Sequence, residues 1–296
     1  MLEKSLEELS LTEGGKAAKK ILRQNIVIKI AAVVIIIFVL KCWLWALNQE
    51  NYVLYAAALL VEFLTIFAVR IAFSRWHLIL QVECDPCKAE EAFGYAYKKR
   101  EKRLWTKEKD RYYLLIARCI LFEETFDRAF PLLLKVNAEQ MRLNWQLIYF
   151  DCLRIYYGRM RAVDGDPMLF AQEWERLRLT FKSMLTSRKK KIRKTAQEEL
   201  EIMEMADAMN QGDLTLYKKL SGQKEWKKGV KMVLVSRHWT DAKACYITKD
   251  LEGAKKHCSY VIANGNRLYY VRLAEQMLEN CFTQKPDSSQ SCSESM

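Results

Sequence analysis

Residues 26–47, IVIKIAAVVIIIFVLKCWLWAL, and residues 52–73, YVLYAAALLVEFLTIFAVRIAF, are apolar runs of 22 residues each. Only Asn48-Gln49-Glu50-Asn51 separates them. An α-helix needs about 20 apolar residues to cross the ~30 Å hydrocarbon core of a bilayer. Each run is long enough to span a membrane, and the short connection predicts a transmembrane helical hairpin over residues 26–73. We expect everything after the hairpin to lie on one side of the membrane.

Basic residues flank the hairpin at the ends away from the connection, which carries only Glu50. They are Lys16, Lys19, Lys20, Arg23, Lys29, Arg70 and Arg75. Because Lys and Arg are retained on the cytoplasmic side, the sequence predicts that both termini are cytoplasmic. A cleaved signal peptide fits less well, since the first run is long and a second follows at once. A buried hairpin of a soluble protein stays open as an alternative.

Two charged residues, Lys41 and Glu62, interrupt the apolar runs. Ionisable residues inside a membrane are costly and often functional. An extended lysine can reach a carboxylate on the neighbouring helix, so the two are a candidate intramembrane charged pair. The alternative is that they only neutralise each other, or that the lysine extends alone to the outer interface.

Composition indicates an all-α protein of a reducing compartment. The 296 residues include only four prolines and ten glycines, and no alternating apolar pattern typical of strands is present. Nine cysteines, an odd number, are scattered along the chain and suit reduced thiols better than a disulfide framework. Lys and Arg exceed Asp and Glu by 12, and anionic lipid of the inner leaflet is the polyanion nearest to a membrane-anchored domain.

The sequence divides into five segments. Residues 1–25 form a cytoplasmic tail with a short amphipathic helix, and residues 26–73 form the hairpin. Residues 74–109 form a juxtamembrane helical segment, in which Asp85-Pro86 is typical of a helix start. Residues 110–281 form a helical domain with a break at Gly165-Asp166-Pro167, and residues 282–296 form a disordered, Ser-rich tail.

One pattern of large and small residues recurs in the helical domain. Its first copy is Tyr113, Ile116, Ala117 and Ile120, then Phe126, Ala129, Leu133 and Val136. It predicts two antiparallel helices that approach closely at Ala117 and Ala129. The turn recurs at Gly212-Asp213-Leu214 and at Asp250-Leu251, the latter followed by Gly253-Ala254, and another turn is predicted over residues 264–266. The expected core residues are Tyr113, Ala117, Ala129, Leu133, Ala254 and Tyr269.

This pattern resembles the tetratricopeptide repeat, a helix-turn-helix unit of about 34 residues. The proline that the family has near the end of each repeat is absent, and an irregular helical bundle stays open as an alternative. As a whole, the chain resembles uncharacterised bacterial membrane proteins with degenerate tetratricopeptide-like repeats. The resemblance implies a scaffold that binds a protein or peptide along a concave face, and it implies no reaction.

The motifs that could support catalysis lack the structural surroundings that their chemistry needs. Cys84-Asp85-Pro86-Cys87 has the form of a redox C-x-x-C, but the βαβ setting of such sites is not visible. A zinc site would need two more ligands at matching spacing, and His257-Cys258 point to different faces of a helix. No phosphate-binding glycine motif occurs. We expect no catalytic, cofactor-binding or metal-binding residues, no cofactor and no enzymatic activity.

The strongest charged patch lies within residues 188–194 and consists of Arg188, Lys189, Lys190, Lys191, Arg193 and Lys194. It is a candidate contact for anionic lipid. A solvated helix start is the plain alternative, and nucleic acid is a weaker one because no aromatic residues are interleaved.

The sequence thus favours a bacterial membrane protein that serves as an interaction scaffold or sensor, with an unknown protein or peptide partner. Two alternatives stay open: a membrane-tethered thiol redox protein that uses Cys84 and Cys87, and a membrane-bound nucleic-acid regulator that uses residues 188–194.

Overall fold

The chain is helical throughout the part described by the structure, a computed structural model that covers residues 4–48, 52–74, 76–164, 170–223 and 230–283. No strand occurs in these ranges, so the all-α prediction is confirmed. The α-helices are α1 (Leu6–Leu11), α2 (Glu13–Asn48), α3 (Tyr52–Ser74), α4 (Trp76–Gln81), α5 (Pro86–Arg100), α6 (Thr106–Ile120), α7 (Phe130–Leu133), α8 (Leu143–Asp164), α9 (Ala171–Met184), α10 (Lys190–Gln211), α11 (Leu214–Gln223), α12 (Lys231–Ile247), α13 (Leu251–Gly265) and α14 (Tyr269–Thr283). Single 3-10 turns lie at Glu101–Arg103, Phe126–Ala129 and Ala138–Gln140.

The described residues form two compact units. The first comprises the residues up to Leu80 together with Lys88–Lys102, and the second comprises Gln81–Cys87 together with the described residues from Arg103 onward. Helix α5 begins at Pro86, as the Asp85-Pro86 pair predicts. Its first two residues therefore belong to the second unit and the rest belongs to the first.

In the first unit, α1 begins with a capping box in which Ser5 and Glu8 exchange side-chain hydrogen bonds with each other's backbone N–H groups. Leu9 of α1 is fully buried, whereas Leu6 is 41% exposed, so a short helix is present and its amphipathic character stays a prediction. Helix α2 then starts at Glu13, well before the apolar run. Most of the predicted tail is thus continuous with the first apolar helix.

Helix α2 is long and apolar enough to cross a membrane over Glu13–Trp45, and α3 contains a shorter apolar stretch, Tyr52–Phe67. The two helices pack along each other, with Val39 and Ala58 buried. Most of their large apolar side chains nevertheless stay exposed, including Phe38 at 66% and Phe63 at 65%.

The second unit is an array of helices in which most chain neighbours pack against each other. Helices α8, α9 and α10 contact one another, α10 contacts α11, and α12, α13 and α14 form a three-helix group. The turns are those that the sequence predicts. Gly212 has a left-handed φ of 74° after α10, and Asp250 caps α13 by accepting a hydrogen bond from the Gly253 N–H at 2.9 Å.

One predicted helix, over residues 126–136, is wrong. Phe126–Ala129 is a 3-10 turn and only Phe130–Leu133 is α-helical. Pro131 has no N–H to donate, and its position in the first turn of α7 is one where that donor is not needed. The segment therefore starts a new short helix there instead of continuing a long one.

Burial agrees with most of the expected core. Ala117, Ala129, Leu133 and Ala254 are fully buried. Tyr113 and Tyr269 are only partly buried, and a cation lies over each ring: the Lys135 ammonium over Tyr113 and the Arg159 guanidinium over Tyr269. The predicted break at Gly165-Asp166-Pro167, the connection over residues 49–51, Arg75, and the tail beyond residue 283 lie outside the described residues.

Candidate binding cavity

The second unit contains a partly open cavity of about 410 Å³, a size within the ~300–1,000 Å³ range of ligand pockets. Side chains from α6, α8, α9, α10, α11, α12 and α14 line it. It therefore depends on how the helices are stacked, and no single helix forms it.

The apolar part of the cavity wall is built from methionines and aromatic rings. Met205 and Met232 are buried and Met209 is partly exposed. Trp174 and Phe122 are 5% exposed each. Methionine side chains adapt to irregular apolar shapes and are frequent at surfaces that accept varied partners. This wall can accept an apolar group of variable shape.

An ion-pair network between arginines and carboxylates forms part of the cavity wall. Arg154 donates from Nε to Glu199 at 2.6 Å and from Nη2 to Asp151 at 2.7 Å. Burial acts to lower the pKa of Arg154, but the two carboxylates outweigh it and raise that pKa. Arg118 of α6 reaches Asp151 at 3.6 Å. These contacts tie α6, α8 and α10 together through both carboxylates.

A second network centres on Asp207 of α10, which receives three donors from α8 and α9. The Trp174 indole Nε1 donates at 3.1 Å and the Arg161 guanidinium at 3.4 Å, and Arg178 makes a further short contact. The Arg161 guanidinium also lies 5.2 Å from the centre of the Trp174 ring. Asp207 thus fixes Arg161 and Trp174 at the cavity wall.

Tyr217, Arg237 and Lys243 also line the cavity. The Tyr217 hydroxyl donates to Asp241 at 2.8 Å, and burial together with the Asp241 carboxylate raises the pKa of Tyr217. Arg237 also pairs with Asp241, at 3.5 Å. Lys243 makes no ion pair within the described part of the chain, and burial lowers the pKa of its ammonium.

Two guanidinium groups of the cavity keep buried donors without acceptors. The Nε atoms of Arg118 and Arg161 are buried and have no hydrogen-bond partner in the described residues. Buried polar groups are nearly always hydrogen-bonded. These Nε atoms have almost no accessible surface, so they face packed protein and not the open space of the cavity.

The structure does not join the predicted intramembrane pair. Lys41 is exposed and Glu62 is partly exposed, and within the described ranges no ion pair links them. A functional pair at these positions stays a prediction.

The basic residues predicted to contact lipid surround the start of α10. Arg188, Lys189, Lys190, Lys191, Arg193 and Lys194 are all exposed, whereas Ile192 among them is buried. Arg193 donates to the carbonyl oxygens of Ser187 and Arg188. No acidic residue lies in the first turn of α10, although the positive end of the helix dipole disfavours cations there. The lipid contact stays a prediction.

The candidate redox residues lie at the start of α5, with Cys84 before the helix and Cys87 in its first turn. Cys84 is fully buried, Cys87 is partly exposed, and neither is in a disulfide with a described residue. Burial, partly opposed by Lys231, raises the pKa of Cys84, whereas reactive cysteines need a lowered pKa. Cys258 is buried, and His257 instead hydrogen-bonds His238, with 2.8 Å between the Nδ1 atoms. Among the described residues, no three His, Cys, Asp or Glu side chains gather as a metal site.

Sequence reasoning missed the cavity because its cations come from distant parts of the chain. Arg118, Arg161 and Lys243 lie on three different helices. A local signal did exist: Arg154, Gly158 and Arg161 recur at a spacing of four and three residues, which places cations and a gap on one helix face.

Comparisons of the chain with protein-family models, with curated proteins and with solved structures find no match.

Proposed function

We propose that this chain is a membrane-anchored interaction protein whose second unit binds a segment of a protein partner in the cavity. The observation that carries the proposal is the cavity itself, which is lined by methionines, aromatic rings and a few charged side chains. Such a combination of apolar wall and few polar anchors is typical of binding sites. Stacked helices are also a common way to build a peptide-binding surface, in line with the tetratricopeptide-like pattern.

The anchor in this proposal is a two-span hairpin formed by α2 and α3. The apolar, exposed surfaces of both helices support it, as does the concentration of Lys and Arg away from the connection. In this arrangement both termini face the cytoplasm of a bacterial cell and the cavity is presented there.

Site-specific photocrosslinking in native membranes tests the binding proposal. A benzoylphenylalanine replaces Asn210, which is exposed and lines the cavity. The control position is Leu179 on α9, which is 58% exposed and does not line it. We expect a discrete protein adduct from position 210 and none from position 179.

Adducts that are the same at both positions, or absent from position 210, would reject the cavity as the partner site. Nucleic acid recovered from position 210 would favour the regulator alternative. Retention of the adduct in a Cys84→Ser/Cys87→Ser variant separates binding from thiol chemistry.

We also propose that the basic cluster at the start of α10 contacts anionic lipid. Its support is the set of exposed cations that the helix dipole disfavours. An anionic surface offsets this cost, at ~1 kcal/mol per residue.

Limited proteolysis tests this contact. Trypsin should cleave at residues 188–194 more slowly in nanodiscs with phosphatidylglycerol than in nanodiscs of phosphatidylcholine alone. Lys218 and Lys219 on α11, both exposed, serve as control sites. Equal rates in both lipids would refute the contact.

A further inference from the structure

Helix α5 runs beside the start of α2 within the first unit, and it runs in the same direction. The Gly14 N–H donates to the Glu91 carboxylate at 3.0 Å. About one turn further along both helices, the Lys19 ammonium lies 5.9 Å from the centre of the buried Tyr95 ring. Because these contacts advance together along the two helices, the C-terminal end of α5 points the same way as the apolar run of α2.

The end of α5 lies close to the level at which that apolar run begins. Arg100, the last residue of α5, is five residues beyond Tyr95. Ile26, the first residue of the run, is seven residues beyond Lys19. At a rise of ~1.5 Å per residue, the two advances are about 7.5 and about 10.5 Å. In a bilayer crossed by α2, this level is that of the lipid headgroups.

Exposed cations of both helices gather at this level. The ammonium groups of Lys19 and Lys99 both lie 5.9 Å from the centre of the Tyr95 ring, so cations of the two helices meet at one side chain. The whole set, which we call the collar, consists of Lys19, Lys20 and Arg23 of α2, Lys99 and Arg100 of α5, and Lys102 in the 3-10 turn that follows.

Neighbouring carboxylates do not neutralise the collar. Residues 16–25 contain no Asp or Glu, and residues 95–102 contain only Glu101. Glu101 pairs with Lys98, outside the collar, at 3.7 Å and accepts a hydrogen bond from the Tyr97 hydroxyl at 3.1 Å. The negative end of the α5 dipole favours the cations of α5, but no helix end accounts for those of α2. Like charges within about 8–10 Å repel each other even at physiological salt, and an anionic surface relieves this repulsion.

We propose that the collar binds the headgroups of anionic phospholipids in the leaflet at which α2 enters the membrane. Each Lys or Arg near such a surface strengthens binding roughly fivefold, and the long side chains can extend along the helices to reach the phosphates. The inference rests on the proposed function only in that α2 crosses a membrane. It needs neither the cavity nor a second span, and it concerns a different unit from residues 188–194.

Native mass spectrometry tests this selectivity on the full-length protein released from nanodiscs with equal amounts of phosphatidylglycerol and phosphatidylcholine. We expect phosphatidylglycerol to predominate among the retained lipids. In Lys99→Gln/Arg100→Gln/Lys102→Gln, which breaks no ion pair of the described residues, the ratio of the two lipids should fall about fivefold or more. Residues 188–194 are unchanged in this variant, so the loss belongs to the collar.

The matched control is Lys218→Gln/Lys219→Gln/Lys256→Gln, which removes the same charge from three exposed lysines of the second unit. Its lipid ratio should equal that of the unchanged protein. If the cations of α5 served only to stabilise the end of their helix, the melting temperature of the collar variant would fall and its lipid ratio would not. That result would overturn the inference.

Equal retention of the two lipids by the unchanged protein would overturn it as well. Extraction of the native membranes with sodium carbonate separates this failure from failure of the anchor. A protein that resists extraction but shows no selectivity keeps the proposed function and loses the inference. A protein that carbonate releases is not anchored by α2, and both are then rejected.

Discussion

Arg159 of α8 joins three parts of the second unit through one side chain. Its Nη1 donates to the carbonyl oxygens of Leu121 and Glu123 at 2.7 and 2.6 Å. Its guanidinium also lies 4.0 Å from the centre of the Phe126 ring and 3.6 Å from that of Tyr269. The end of α6, the following 3-10 turn and α14 therefore all contact this one group.

We predict that Arg159→Met lowers the stability of the second unit by about 2–4 kcal/mol, because two carbonyls lose a charged donor and two rings lose a cation. Thermal unfolding, monitored by circular dichroism, measures this loss of stability. Arg272→Met is the control, since Arg272 and Glu124 form an exposed pair, 57% and 52% accessible, and such pairs contribute below about 1 kcal/mol. Similar losses in both variants would contradict the role given to Arg159.

The histidine pair between α12 and α13 predicts a loss of stability in mild acid. Burial, then His257, lowers the pKa of His238 below its ordinary value of 6.5. The unfolded chain therefore binds a proton more readily than the folded one, so stability is complete above pH 6.5 and falls as the pH drops below that value. Asp241 opposes the shift, whereas Arg237 and Lys256 add to it.

Urea unfolding between about pH 5 and 8 should show this slope, and His238→Gln should flatten it. The variant keeps a polar group near His257 but cannot be protonated. An equally steep slope in the variant would assign the acid sensitivity to other groups.

At the scale of elements, the start of α2 packs against α5 within the first unit at a point where only glycine fits. A Cβ on Gly14 would overlap the Lys88 carbonyl oxygen and the Glu91 side chain. The Gly14 N–H donates to the Glu91 carboxylate at 3.0 Å. Replacement by alanine would force the two helices apart.

We predict that Gly14→Ala destabilises this contact even though alanine is the better helix former by about 1 kcal/mol. Hydrogen exchange of the backbone amides of Lys88–Lys102 should become faster. Gly222→Ala is the matched control, because a Cβ there meets nothing within 4 Å, and this change should stabilise α11. Unchanged exchange in Gly14→Ala would show that the contact is not as close as described.

Helix ends were predictable wherever a few neighbouring residues specify a cap or a turn. Asp85-Pro86, Gly212-Asp213 and Asp250 all mark ends that the structure has. The segment over residues 126–136 was not predictable, because its apolar spacing fits a helix while its backbone follows tertiary contacts such as Arg159 over Phe126. The cavity was missed for a similar reason, since its donors converge only after the helices have stacked.

At the scale of the whole molecule, the exposed apolar surface of α2 and α3 must be shielded from water. Soluble monomers rarely expose contiguous apolar patches above about 300–600 Å², yet Ile30, Phe38, Phe63 and Phe67 are each more than half exposed. A lipid bilayer covers such a surface around a hairpin, with the two ends of the chain on one side. A single span through α2 would instead place those ends on opposite sides.

Labelling with a membrane-impermeant acetylating reagent distinguishes the two arrangements. In intact spheroplasts, we expect Lys16 and Lys190 both to be protected, and both to be acetylated after permeabilisation, because the proposed hairpin would keep both in the cytoplasm. Asn51→Lys places a lysine in the connection, and this introduced lysine should be acetylated without permeabilisation. Protection of only one end would establish a single span. Recovery of the protein in the soluble fraction would mean that lipid does not cover α2 and α3, which would favour the buried hairpin of a soluble protein.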